Sequence, residues 1–166
     1  MKKIKFKELS LESFKKYGSY SSLMEPDGTR FGDEKTGFYP DLIQNNLGNS
    51  RIASFSVCHI TKADHAVIKS SEFHNYCNET IMPLNGEILM HVAPAIGEDC
   101  VPVEKIEVFR IPVFTIVTVR PGVWHHIPFT YNCNSADIMV VLPERTYVND
   151  CYVCQIPEKE FIEVIQ

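Results

Sequence analysis

A chain of 166 residues, 45% hydrophobic and 22% charged, has the make-up of an ordinary globular domain and is long enough to bury a core without covalent staples. Its net charge of −5, with no basic run, argues against nucleic acid as a main partner. The longest purely aliphatic stretch, IMVVL at 138–142, is far too short to cross a membrane. The basic start MKKIKFKELS lacks the apolar run of a secretory signal, so a cytoplasmic address is expected.

KIKFK (3–7) alternates Ile4 and Phe6 with lysines, as an edge strand does. LSLESFKKYG (9–18) reads as a short helix. Ser10 can cap it, Glu12 suits its positive end, Leu9 can staple onto Phe14, and Gly18 is placed to end it. Residues 21–50, rich in Gly, Asn and Asp, are expected as a long surface excursion.

From about residue 50 the chain turns to short β-rich runs: RIASFSVCHI (51–60), HAVIKS (65–70), ETIMP (79–83), GEILMHVA (86–93), EKIEVFR (104–110), VFTIVTV (113–119) and DIMVVL (137–142). With no helical stretch between them, they predict an antiparallel sandwich or barrel. PLNGE (83–87) is expected to be a tight hairpin turn at Asn85-Gly86. IPEKEF (156–161) puts Pro157 at the first position of a short terminal helix. The expected organisation is one domain over 1–166. An N-terminal strand, helix and excursion run to residue 50, a barrel core spans 51–145, and a C-terminal extension covers 146–166.

Six cysteines without a signal peptide are expected to be reduced thiols. Cys151 and Cys154 form a lone C-x-x-C, which lacks both the second ligand pair of a zinc site and the βα context of a redox site.

Chemistry concentrates in two places. Glu72 and His74, two apart on an extended segment, share a face, and Glu79 and Gly86 follow at four and six intervening residues. His125 and His126 come after Pro121-Gly122 and the single tryptophan, Trp124. This pattern resembles the two motifs of the cupins, small jelly-roll barrels, with Glu72 in the slot usually held by a first histidine. Ala66 and Phe129 stand where the cupin pattern has a glycine and an asparagine.

The chain further resembles the ureidoglycolate lyase family, cupins of allantoin and purine-nitrogen catabolism. The likeness is carried by SLESFKKYGSY, YPDL, EFHNYCNETIMPLNGEI, VWHHIPF, SADIMVV and NDCYVCQIPEKEF, and so covers most of the chain. Phe73 stands where the family usually has an arginine, Glu79 where it tends to have glutamine, and Asn85 where it tends to have lysine. A lost arginine weakens the bidentate grip on a substrate carboxylate.

The resemblance implies an all-β, cupin-type double-stranded β-helix with short N- and C-terminal helices. Cupin spacing elects His74, Glu79 and His125 as ligands of a divalent metal (Mn, Fe, Co, Ni or Zn), because mixed nitrogen and oxygen donors suit any of these. The same residues could equally serve as hydrogen-bonded interior groups without metal. Strand alternation lets only one of His125 and His126 point inward, unless the strand bends at its end. His126 and Glu72 are the candidate proton carriers, and His59, Trp124 and Asp137 are candidates for the substrate pocket. Asp137 could also hold a simple strand-end hydrogen bond. His91 is expected on the outer face and His65 in solvent. The implied reaction is cleavage of ureidoglycolate to glyoxylate and urea by a homodimer acting on a small molecule. Alternatives are another metal-dependent cupin enzyme, such as an isomerase or dioxygenase of small acids or sugars, and a non-catalytic metabolite-binding cupin.

Overall fold

In the computed structural model, which describes residues 1–165, the lysine-rich start forms sheet margins, as that composition favours. These are β1 (Lys2–Lys5) and β2 (Lys7–Glu8). α1 (Leu11–Phe14) is a single turn. The Ser10 side chain accepts from the Ser13 amide at its start, and Lys15 caps its end. Gly18 therefore does not end the helix. It opens β3 (Gly18–Ser22), where a Cβ would sit 1.8 Å from the Thr118 carbonyl oxygen, so close strand approach is what demands glycine. Residues 23–52 form the excursion, mostly exposed, with one bridge between Phe31 and Phe38.

The β-rich runs form strands near their expected places: β4 (Ala53–Thr61), β5 (Val67–Ile68), β6 (Ser70–Phe73), β7 (Glu79–Pro83), β8 (Ile88–Ala93), β9 (Glu107–Ile111) and β10 (Thr115–Val119). Two short strands follow, β11 (Trp124–His125) and β12 (Phe129–Thr130), then the long β13 (Ser135–Pro143). α2 (Thr146–Asn149), β14 (Tyr152–Gln155) and β15 (Ile162–Ile165) complete the chain. The expected terminal helix is a 3₁₀ turn over Glu158–Glu160, with Pro157 just before it. The chain then ends in β15, a strand that sequence reading did not place.

Strands β3-β10-β7-β13-β4 form a five-stranded sheet. Strands β14-β6-β11-β8-β9-β2, with β12 beside β8, form a seven-stranded sheet, and β1-β15-β5 form a third. This is the cupin-type jelly roll. Its sheets remain separate layers and do not join by hydrogen bonds into a closed barrel.

Two cores result. Between the large sheets, Ile81, Val117 and Ile138 meet Ile88, Met90, Val92 and Phe109. Phe14 and Tyr17 pack on Phe109 at ring-centroid distances of 5.2 and 6.1 Å. Behind the seven-stranded sheet, Leu89, Ala93, Val108 and Trp124 meet Ile68, Ile162 and Val164.

This second core corrects one expectation. His91 does share the outward face with Leu89, but the third sheet covers that face and leaves His91 2% exposed. A second correction concerns PLNGE. β7 and β8 belong to different sheets, so the turn is not a hairpin but a crossing between layers. At Gly86 an added Cβ would stand 2.8 Å from the Ser135 carbonyl oxygen and 2.9 Å from Cys133 Sγ. The crossing thus needs glycine for room. No helix among the described residues is long and apolar enough to cross a membrane.

Candidate functional site

Arg120–Val123 is a turn closed by the Val123 amide donating to the Arg120 carbonyl, 3.2 Å. Pro121 presets its second position, and Gly122, at φ 76°, supplies the positive φ that the third requires. The Gly122 amide donates to the His74 carbonyl oxygen at 2.7 Å, which ties this turn to the Glu-x-His segment. β11 then pairs on both sides, with His125 opposite Glu72 of β6 and opposite Val92 of β8. Val92 belongs to the core between the large sheets, so His125 points inward. Trp124 points the other way and packs edge-on against Phe73 at 4.6 Å in the back core. It stands behind the cavity rather than in its wall. Because β11 stops at His125, His126 escapes the alternation and also lines the inner cavity.

Inside, three side chains converge. Glu79 Oε2 lies 3.0 Å from His74 Nε2 and 3.3 Å from His125 Nε2. Each imidazole is anchored through its other nitrogen: His74 Nδ1 donates to the Asp150 carbonyl at 2.6 Å, and His125 Nδ1 to the Val123 carbonyl at 2.8 Å. A carbonyl oxygen only accepts, so the hydrogen of each neutral ring sits on Nδ1. Both Nε2 atoms then present lone pairs to a carboxylate oxygen, an arrangement that requires a proton or a cation among them. Burial alone would push the Glu79 carboxyl up, but the His125 and His74 rings outweigh it and hold the group well below the usual carboxylate range. For His125, burial pushes the imidazole down, while the Glu79 carboxylate and the Val123 carbonyl turn the net direction upward. The candidate ligand atoms all lie within 4.8 Å of one another, with His74 and His125 buried and Glu79 partly buried. Two nitrogens and one oxygen fit a divalent transition metal.

The cavity beside this group, of about 50 Å³, is narrow. Glu72, Glu79, His126 and Cys58 line it, with apolar walls that include Ile81, Met90 and Ile138. No arginine or lysine lines it among the described residues. Arg110 is taken up by Glu8 and Glu87, each at 3.0 Å. Phe73 lies against Trp124 and Tyr152 in the back core, so this position points away from the cavity whatever residue fills it. Cys151 Sγ donates to Glu72 Oε2 at 3.2 Å, and burial followed by the Glu72 contact pushes the thiol up to about 12, so it keeps its proton.

The other two expected pocket residues also lie outside the cavity wall. His59 and Asp137 are register partners on β4 and β13, joined Nδ1 to Oδ1 at 2.7 Å. Their neighbours Cys58 and Ile138 face inward, so this pair faces out. Asp137 Oδ2 also accepts from Asn85 at 2.6 Å. His65 is exposed beside Glu163. Cys151 and Cys154 fall on opposite faces of the β14 edge: Val153 pairs with Glu72 and Cys154 with Ser71. Sequence reading missed Asp150 and Cys151 at the site. No local pattern marks them, since they arrive through the pairing of β14 with β6.

A family model described as Ureidoglycolate lyase matches residues 1–163. No curated protein matches the sequence. Among solved structures, the 3,4-ketoisomerase QdtA from Thermoanaerobacterium thermosaccharolyticum is similar at 14% identity and a TM-score of 0.44, over 80% of this chain and 84% of its own. A dTDP sugar isomerase from Desulfovibrio desulfuricans G20 is 12% identical with a TM-score of 0.48, over 85% and 84%. A dTDP-4-dehydrorhamnose 3,5-epimerase from Elizabethkingia anophelis NUHP1 is 15% identical with a TM-score of 0.38, over 82% and 71%.

Proposed function

This chain belongs to the ureidoglycolate lyase family, and from that premise we propose that it splits ureidoglycolate into glyoxylate and urea in allantoin and purine-nitrogen catabolism. The observation that carries the proposal is the convergence of His74, Glu79 and His125 beside a cavity that also holds Glu72 and His126.

The substrate is a hemiaminal, with one carbon bearing a hydroxyl, a carboxylate and the urea nitrogen. Cleavage removes the hydroxyl proton, forms the C=O bond, breaks the C–N bond with its electron pair going to nitrogen, and delivers a proton to that nitrogen. Glu72 suits the first task, because its carboxylate is oriented by the Cys151 thiol and lines the cavity. His126 lines the same space and suits proton delivery to the leaving urea. His74, Glu79 and His125 would hold a divalent metal, which when bound supplies Lewis acidity toward the substrate's oxygen atoms. Apolar walls at Ile81, Met90 and Ile138 exclude bulk water from the reacting carbon. Purified protein mixed with ureidoglycolate and supplied with Mn, Fe, Co, Ni or Zn in turn tests the proposal. Urea release above the spontaneous rate supports it, and none with any metal defeats it.

A second activity has one observation behind it. Without an arginine or lysine, the cavity offers no side-chain cation to a carboxylate. That favours a metal-dependent isomerase or dioxygenase whose substrate is held without a carboxylate, as a small sugar is, and a panel of sugars and small acids separates it from the lyase. Ligand binding with no turnover on any member would identify a metabolite-binding protein.

We also place the chain in a homodimer. Support comes from β4, whose nine residues at a sheet margin include no lysine, glutamate or proline to deter pairing. Phe55 and Val57 are 72% and 67% exposed on its outer face.

A further inference from the structure

His74 has a weaker local hold than its two partners in the inner cluster. Glu79 opens β7 and His125 closes β11, each fixed by ladder hydrogen bonds. His74 lies one residue past the end of β6, at the start of a bend that runs to Glu79. A ligand on an irregular segment needs outside support to stay within the roughly 0.5 Å that a working site tolerates.

Besides the Gly122 amide that holds the His74 carbonyl, that support comes from one residue of the C-terminal extension. The Asp150 main-chain carbonyl accepts from His74 Nδ1 at 2.6 Å. Its carboxylate accepts from the next two amides, Asn75 N–H at 2.8 Å and Tyr76 N–H at 2.9 Å. Cys77 Sγ lies 3.9 Å from the same carboxylate. Asp150 is itself fixed from behind, since its amide donates to the Thr146 carbonyl at 2.7 Å and so caps α2. One residue on, Cys151 orients Glu72.

We propose that Asp150 is the positioning residue for His74: its carboxylate pins the 75–76 backbone so that its carbonyl can fix the His74 tautomer and aim Nε2 at Glu79. The proposal rests on the metal site proposed above. It adds that the C-terminal extension, remote in sequence from every ligand, sets that site's affinity.

Cobalt(II) titration of the full chain, followed by visible absorption, tests it together with ¹⁵N NMR of the histidine rings in the metal-free protein. Asp150→Ala removes both carboxylate contacts and is expected to weaken cobalt binding 10–100-fold, the usual range for groups that orient a metal ligand. Asp150→Asn keeps one acceptor oxygen and is expected to restore part of that loss. It also serves if the alanine variant fails to fold. In metal-free wild type, the His74 Nδ1–H signal should be protected from exchange, and in Asp150→Ala it should broaden or vanish. A folded Asp150→Ala protein with wild-type cobalt affinity and an unchanged His74 signal overturns the proposal. Wild type that binds no cobalt, zinc or manganese sinks the metal site instead, and the ring signals then decide the positioning role alone.

Discussion

Glu72 and His125 are direct cross-strand partners, β6 against β11, on the face of the sheet that looks into the inner cavity. Their pairing joins the two histidine-bearing motifs, and it sets a base candidate beside a ligand candidate without making Glu72 one of the converging three. Glu72→Gln keeps the side chain's shape and removes its basicity. Urea release is expected to fall by about 10²–10⁴-fold, the usual contribution of a well-placed base, while cobalt affinity stays within a few-fold of wild type. Steady-state rates and a metal titration on the same preparation read both. An equal loss of metal binding would move Glu72 into the ligand set.

Binding to the folded state alone raises the melting temperature in proportion to the logarithm of ligand concentration. Zinc or cobalt added in excess is therefore expected to raise the melting temperature of wild type, and a chelator to reverse the shift. His125→Ala leaves Glu79 with one imidazole and should abolish the rise. A shift that persists in this variant would place the metal elsewhere.

Most of the strand set and both histidine motifs were legible in the sequence because each is a local pattern. ETIMP coincides with β7, and the capping Ser10 sits where its residue type belongs. What stayed hidden was set by layers and long-range pairing. His91 alternates as expected, but alternation cannot reveal that a third sheet covers the outward face. Asn85-Gly86 has hairpin chemistry, and only the sheet assignment of β7 and β8 shows it to be a crossing. Asp137 has a strand-end position compatible with a pocket, while the register with β4 spends it on His59. Asp150 has no signature because its partners lie more than seventy residues away.

The free margin of β4 makes the assembly testable by charge. Val57 is the midpoint of the strand and points outward, so Val57→Lys places a cation in the centre of any β4-mediated contact while sparing the inner core. Light scattering is expected to give a dimer for wild type and a monomer for the variant, with unchanged thermal stability of the protomer at low concentration. A wild-type monomer at working concentration removes the homodimer. A dimer that survives the substitution shifts the interface to another margin, such as β1 or β2 at the N-terminus.

His91 offers a test of the back core through pH. Its Nε2 lies 3.0 Å from Ser71 Oγ, whose hydrogen goes to the His125 carbonyl, also at 3.0 Å, while Nδ1 is buried without a partner among the described residues. Burial, followed by the nearby His126 and His125, lowers its pKa to about 3, so the ring stays neutral in the folded protein. In the unfolded chain it takes up a proton near pH 6.5. Between those values the unfolded state binds more protons, so His91 subtracts stability progressively as pH falls from about 6.5 toward 3. His91→Leu removes both the titration and the orphaned nitrogen, whose burial costs about 1–3 kcal/mol, and leaves the Ser71 hydroxyl bonded to the His125 carbonyl. Urea unfolding at pH 7 should show the variant as stable as wild type or more so, and at pH 5 its advantage should widen. A variant less stable at pH 7, with the same pH slope as wild type, would mean that the His91 ring is hydrogen-bonded in the fold and takes up its proton alike in the folded and unfolded protein.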